Sequence, residues 1–233
     1  MSIAIKKSAA ALVVLAFTLA CASLSARASD KSDAAALVDK SRLTIQEFSQ
    51  NKDFVSLKSA LGQAKAVLIF PQVLKAGFVL GGSGGSGVLL VRDASSNQWA
   101  GPAFYTMGSA SLGLQAGASS AEMVMLVNSQ KALDSLFTNK IKLGGDASVA
   151  LGPKGVGTGA SVTADFVVYS KVKGAFAGVA VDGSLLDVRD SLNAAYYGKP
   201  VTPVDILVKK DVSNSAAAGL QAAVAGAGAG AAK

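Results

Sequence analysis

The spacing of apolar positions changes along the chain, and the changes mark the elements it predicts. Over residues 30–50, Leu37, Leu43 (or Thr44) and Phe48 recur at near-helical spacing, and Val38 and Ile45 widen the stripe. Asp39, Lys40 and Arg42 lie off the stripe, so the pattern predicts an amphipathic helix. After Asn51 a second short helix is expected through Phe54, Leu57 and Leu61, ending near Gly62. From Ala66 the texture turns to strands. The apolar run Ala66–Phe70 is expected to stop at Pro71, which cannot donate to a ladder. Gly77–Leu80 and Gly87–Arg92 read as strands flanking a glycine-serine segment, with further strands at 103–118 and 122–127.

Ser129 is a candidate N-cap for a helix over 129–139 whose apolar face is Leu133, Leu136 and Phe137. Strand patterns resume at 141–143, 147–151, 156–162, 166–171, 175–181 and 184–188. A helical turn over Asp190–Tyr197 and a short helix opening at Pro203 follow. Residues 213–233 are almost all Ala and Gly and read as a low-complexity tail, frayed helix or disorder with little to bury. The fold class implied is α+β: a glycine-rich, mostly antiparallel β-barrel-like core with N-terminal and mid-chain helices.

The first residues have the parts of a secretory signal: Lys6 and Lys7, an apolar run Ala9–Ala20, then small residues. The run is too short for a stable membrane span. Two processing sites fit. Cleavage after Ala28 follows the small-x-small rule at Ala26-Arg27-Ala28, whereas Leu19-Ala20-Cys21 resembles a lipoprotein box that would lipidate Cys21. The expected organisation is therefore a signal at 1–28, a domain over 29–212 and the tail over 213–233. The expected location is the periplasm or the periplasmic face of the outer membrane.

Charge and composition narrow the chemistry. The chain has 22 basic and 15 acidic residues. Lys6, Lys7 and Arg27 fall in the signal, so the remainder carries a net charge of +4. That favours anionic surfaces and falls short of a nucleic-acid-binding signature. There are no histidines, and Cys21 is the one cysteine, so Ser-His and Cys-His nucleophilic sites and zinc sites built on those ligands are excluded from the domain. No cofactor or metal is implied. Most acids stand beside turns, as in Asp182-Gly183.

Gly82-Ser83-Gly84-Gly85-Ser86-Gly87 matches G-x-G-x-x-G, but a strand pattern follows where dinucleotide binding needs a helix N-terminus. A glycine-rich hairpin or bulge is the better reading. Gly152-Pro153-Lys154-Gly155 lacks the ending of a P-loop and reads as a turn. Trp99 and Phe104-Tyr105 are expected in the core or at its rim. Lys40, Arg42, Lys52, Lys58, Lys65 and Lys75 cluster in the N-terminal third. They form either a solvated face or a patch for anionic headgroups, and the apolar stripe of 37–48 either packs on the core or lies in a bilayer interface.

Ala64–Pro71, Lys75–Phe78 and the Gly81–Gly87 run resemble the opening of the SYLF domain. Trp99–Tyr105, Gly113–Gly117, Gly144–Ala147, Gly152-Pro153, Tyr169–Lys171, Gly174–Gly178, Asn193 and Tyr196–Gly198 follow in the family's order over about residues 34–207. The resemblance implies a phospholipid-binding domain. Eukaryotic members bind phosphoinositides through an N-terminal amphipathic segment and basic residues, and some fungal members bind actin. Here a signal stands where those proteins carry SH3 or FYVE modules, which turns the expectation toward anionic phospholipid of a bacterial envelope. The expectation is thus a non-enzymatic lipid-binding protein using Lys40, Arg42, Lys52, Lys58 and Lys65 and the amphipathic helix. The alternative is a structural or protein-interaction domain with an unknown partner.

Overall fold

The computed structural model describes residues 29–77, 80–112, 117–138, 140–152, 164–174, 181 and 183–229. The signal with both processing sites, the strand expected at 156–162, most of that at 175–181 and the Gly152–Gly155 turn beyond Gly152 lie outside the described residues.

Helix α1 runs over residues 29–50. A 3₁₀ turn (Lys52–Phe54) leads into α2 (Val55–Gln63), and the Asn51 side chain accepts from the Asp53 N–H to start that turn. Four long strands follow, β1 (Ala66–Gly77), β2 (Leu80–Arg92), β3 (Trp99–Leu112) and β4 (Gly117–Val127). Then come α3 (Gln130–Thr138), β5 (Ile141–Lys142), β6 (Val149–Leu151), β7 (Phe166–Gly174), β8 (Leu185–Val188) and α4 (Asp190–Tyr197). A short π-helix (Asp205–Lys209) and a 3₁₀ turn (Ser215–Ala217) lead to α5 (Ala218–Gly228).

The strands form one sheet in the order β5-β8-β3-β2-β1-β4-β7-β6, antiparallel except where β6 meets β7. It curls into a half-barrel, so the α+β expectation holds. Strand alternation sends side chains to two separate cores. Leu68, Phe70, Met123, Met125 and Phe166 pack under α3, whereas Val67, Ile69, Val124, Leu126 and Tyr169 pack against α1, α2, α4 and α5. Each long strand is therefore buried on both faces through its core half.

Three expectations are corrected. Strand β1 does not stop at Pro71: it continues to Gly77, because Pro71 falls where the register with both neighbours slips and no ladder N–H is required. The glycine-serine run is not a connection between strands but the first half of β2, paired from Leu80 onward with β3. A Cβ at Gly85 would lie 2.3 Å from the Gln72 carbonyl oxygen, and one at Gly87 would lie 2.6 Å from the Ile69 carbonyl oxygen and the Phe70 ring, so the bulged β1 leaves no room for a side chain. The alanine-glycine segment is an ordered helix over Ala218–Gly228 rather than a frayed one. Leu220, Val224 and Ala227 repeat at helical spacing and are buried against the α1–α2 side, which makes α5 part of the core.

Ser129 caps α3 as expected, accepting from the Ala132 N–H at 3.1 Å. Helix α4 ends at Gly198, whose φ of 76° is the left-handed conformation that closes helices. No helix of the described residues is long and apolar enough to cross a membrane.

Candidate functional site

Helix α1 turns Ala34, Val38, Ile45 and Phe48 into the core, with Ser41 and Thr44 between them. Phe48 stacks on Phe54 with ring centroids 4.9 Å apart, and Phe54 meets Tyr169 edge-on at 5.8 Å. This corrects the expected interfacial helix: the ridge is sequestered in the fold, and of the expected stripe only Leu43, 55% exposed, faces solvent. Fully burying Val38, Ile45 and Phe48 is worth up to about 1.5–3 kcal/mol each. A bilayer would at best return that gain, and lifting α1 would also uncover Val67, Ile69, Val124 and Leu126 on the sheet. Packing wins.

Beyond the core half the long strands carry mostly small and polar residues. There an open groove of about 480 Å³ lies between the helix and strands β1, β4 and β7. Helix α1 contributes Lys40, Leu43, Thr44 and Glu47, and the β1 bulge contributes Pro71 and Gln72. The register makes the floor. Glu122 stands opposite Lys171 and Ser120 opposite Lys173 in the β4–β7 pair, and residues two apart share a face. Leu74, also 55% exposed, pairs with Ser120 on the other side and completes that row.

Lys171 is ion-paired with Glu47, tying α1 to β7. The hydrogen bond to Glu47 holds the Lys171 ammonium above its ordinary value, and the charges of Glu47 and Glu122 add to this. That ammonium is occupied by Glu47, so Lys171 serves to anchor the helix to the strand. Lys40 and Lys173 take part in no ion pair among the described residues. Glu122 Oε2 is shielded from solvent and receives no hydrogen bond from any described residue. Two carboxylates thus line the groove, but Glu47 is already neutralised by Lys171. Among the described residues no group of three or more Asp, Glu, His or Cys is placed to hold a metal ion.

Of the five basic residues expected to meet lipid, the structure brings only Lys40 into the groove. Arg42 lies on the other flank of α1, bonded to Gln46 Oε1 at 3.3 Å, 3.9 Å from Asp39, and packed over Gly219 of α5. Lys52 and Lys58 are exposed on the turn and helix that follow. Lys65 is an exposed side chain on a pinned backbone: its N–H donates to the Val127 carbonyl at 2.9 Å and its carbonyl accepts from Arg92. Cys21 lies outside the described residues. Lys171, Lys173 and Glu122 were missed by sequence reasoning. The alternation Lys171-Val172-Lys173 marks one strand face, but its pairing with Ser120-Ala121-Glu122, some fifty residues away, leaves no mark on a single sequence.

The aromatics are structural. Trp99 is buried beneath the Arg92 guanidinium at 4.7 Å, and Arg92 donates to the Leu61 and Gly62 carbonyls that close α2. Phe104 and Tyr105 point to opposite cores, where the Tyr105 hydroxyl donates to the Leu136 carbonyl at 2.6 Å. A second groove of about 410 Å³ lies between β3 and the start of α5, where Gln221 donates to the Gly101 carbonyl at 2.8 Å beside the cis Gly101–Pro102 bond. Its cation, Lys210, is paired with Asp93.

A family model described as "Ysc84: Las17-binding protein actin regulator" matches residues 108–227. Protein YSC84 of Saccharomyces cerevisiae is 37% identical over 154 residues, covering 63% of this chain and 32% of that protein. LAS seventeen-binding protein 3 of the same species is 36% identical over 162 residues, 66% of this chain and 35% of the relative. SH3 domain-containing YSC84-like protein 1 of Bos taurus is 30% identical over 152 residues, 63% of this chain and 44% of the relative. The chain thus spans between about a third and under a half of these relatives' length. No solved structure matches.

Proposed function

The chain belongs to the Ysc84 family and carries its SYLF domain, and from that membership and the groove we propose a non-enzymatic domain that binds anionic phospholipid surfaces. The family's description is that of a regulator and binding protein, not of a catalyst. The single observation that carries the lipid reading is the α1–β7 groove. Lys40 and Lys173, which make no ion pair among the described residues, flank it, with exposed Leu43 and Leu74 beside them. Each lysine near an anionic bilayer contributes roughly 1 kcal/mol, screened beyond about 10 Å at ordinary salt. Lys52, Lys58 and Lys65 add to the attraction at longer range. Arg42, held by Gln46 and Asp39, contributes less. Helix α1 serves as a wall of the site rather than as an inserting element.

We extend the proposal to location: export through the segment 1–28, with contact at the periplasmic face of a bacterial outer membrane, either from Ser29 onward or anchored at a lipidated Cys21. Mass spectrometry of the mature N-terminus decides between these. The lipid reading is tested by co-sedimentation of the purified chain with vesicles of phosphatidylcholine alone or mixed with phosphatidylglycerol. Binding to the anionic vesicles at low salt, falling as salt rises, is expected. Equal failure to bind either vesicle at low salt would sink it.

A second reading is favoured by the family's description and by the relative named as a LAS seventeen-binding protein. In that reading the domain docks a protein partner. It predicts binding insensitive to lipid charge and retention of one stoichiometric protein in a pull-down.

A further inference from the structure

The groove holds more than positive charge. Its floor carries a carboxylate oxygen, Glu122 Oε2, that is out of solvent and has no hydrogen-bond donor among the described residues. Its rim carries two lysines, Lys40 and Lys173, that make no ion pair among the described residues. Lys171 is ion-paired with Glu47 and also feels the charge of Glu122 opposite it, and Glu122 shares the groove with Lys40 on the helix and Lys173 on the strand. A shielded carboxylate oxygen left without a hydrogen bond is costly, on the scale of a lost charged hydrogen bond, so the site gains from a ligand that brings a donor. A fully deprotonated anion such as sulfate or chloride brings none. A metal ion is a poor fit because the lysines repel it and only one unpaired carboxylate faces it.

The ligand that satisfies both features has an anionic group for Lys40 and Lys173 and a hydrogen-bearing ammonium for Glu122. The register fixes the spacing: Lys173 stands diagonally across β4–β7 from Glu122, about 7–8 Å between backbone positions. Ser120, directly opposite Lys173, adds a hydroxyl on the same row. The volume of about 480 Å³ admits a polar headgroup. Leu43 and Leu74, each 55% exposed beside the groove, offer apolar contact to the chains behind such a headgroup.

Building on the membrane reading, we propose that the α1–β7 groove recognises the phosphoethanolamine headgroup of a phospholipid, its phosphate held by Lys40 and Lys173 and its ammonium by Glu122. The amine's N–H groups are the discriminating feature. Phosphocholine has the same charges but a quaternary nitrogen with no hydrogen to donate, so it leaves Glu122 Oε2 unsatisfied.

The test compares the purified full chain on vesicles of phosphatidylcholine, phosphatidylcholine with phosphatidylethanolamine, and phosphatidylcholine with phosphatidylglycerol. Phosphatidylethanolamine should tighten binding about tenfold over phosphatidylcholine, the factor one charge-assisted hydrogen bond supplies. Soluble glycerophosphoethanolamine should compete and glycerophosphocholine should not. Glu122→Gln, which keeps the shape, should erase the ethanolamine preference and leave the phosphatidylglycerol gain intact. Lys173→Ala should weaken both gains, and matching far-UV spectra establish that the variants fold. No ethanolamine preference, or a preference that survives Glu122→Gln, overturns the proposal. Competition by the soluble ester without any vesicle preference overturns the lipid source and makes the ligand a free phosphoester. Loss of the phosphatidylglycerol gain in the unaltered chain is a failure of the membrane reading itself, and it is read separately from the ethanolamine arm.

Discussion

Asn193 on α4 is wholly buried and serves β3 as a strand edge would. Its Oδ1 accepts the Phe104 N–H at 2.9 Å, and its Nδ2 donates to the Phe104 carbonyl at 3.4 Å. Strand β8 starts pairing only at Tyr105, so Phe104 has no ladder partner on that side. Replacing Asn193 with Ala removes both bonds. The carbonyl keeps the Arg189 N–H at 2.9 Å, so the loss there is small. The Phe104 N–H, in a residue with no exposure, keeps nothing. An orphaned buried donor costs about 1–3 kcal/mol. For a domain of this size 1 kcal/mol moves the midpoint by about 2–4 °C, so a central value near 2 kcal/mol lowers Tm by roughly 4–8 °C. Thermal unfolding followed by circular dichroism measures the shift, and amide exchange should show Phe104 losing protection first. A Tm change below about 1 °C with Phe104 still protected would refute the assignment, because the strand would then have another donor or acceptor in reserve.

Three further outcomes follow from the packing. Gly87→Ala, whose Cβ would meet a backbone oxygen at 2.6 Å, should destabilise by about 1–3 kcal/mol, whereas Gly84→Ala, with Met107 O at 3.5 Å, should be neutral or slightly stabilising; urea midpoints compare the two. Phe48→Ala should cost about 3–5 kcal/mol by the same measurement, since the ring is buried and stacked, and a cost under about 1 kcal/mol would mean that α1 is not docked as described. Asp165 is held below the usual carboxylate range, first by the Ser129 hydroxyl and then by the Ser148 N–H and hydroxyl, so the contribution is present above the unfolded value near pH 4 and is lost as pH falls below it. Asp165→Asn should therefore flatten the loss of stability between about pH 5 and pH 3, and an unchanged slope would count against it.

What the sequence made legible was what side chains announce. Val38, Ile45 and Phe48 gave α1, Ser129 gave the start of α3, and Asp190–Tyr197 gave α4 at its observed bounds. The buried face of α1 was nonetheless displaced. Ala34 and Ser41 lie inside while Leu43 lies outside, because the small residues let the helix sit close to the sheet and carry no apolar signal of their own. The glycines of β2 conceal a strand for the same reason, since without side chains there is no alternation to read. The alanines of α5 looked too small to pack, yet Leu220 and Val224 suffice when the helix can approach α2 closely. The groove was least legible. It is assembled from α1, the β1 bulge, β4 and β7, and its lysines meet Glu122 only through a pairing between distant strands.

Hydrogen–deuterium exchange of the chain, free and bound to phosphatidylglycerol vesicles, tests most directly whether a preformed groove meets the membrane. Segments 40–47 and 170–173 should gain protection while Val38, Ile45 and Phe48 exchange as slowly as before. Unchanged exchange at 40–47 and 170–173 on bound vesicles, or faster exchange along α1 as it lifts from the sheet, would contradict the account.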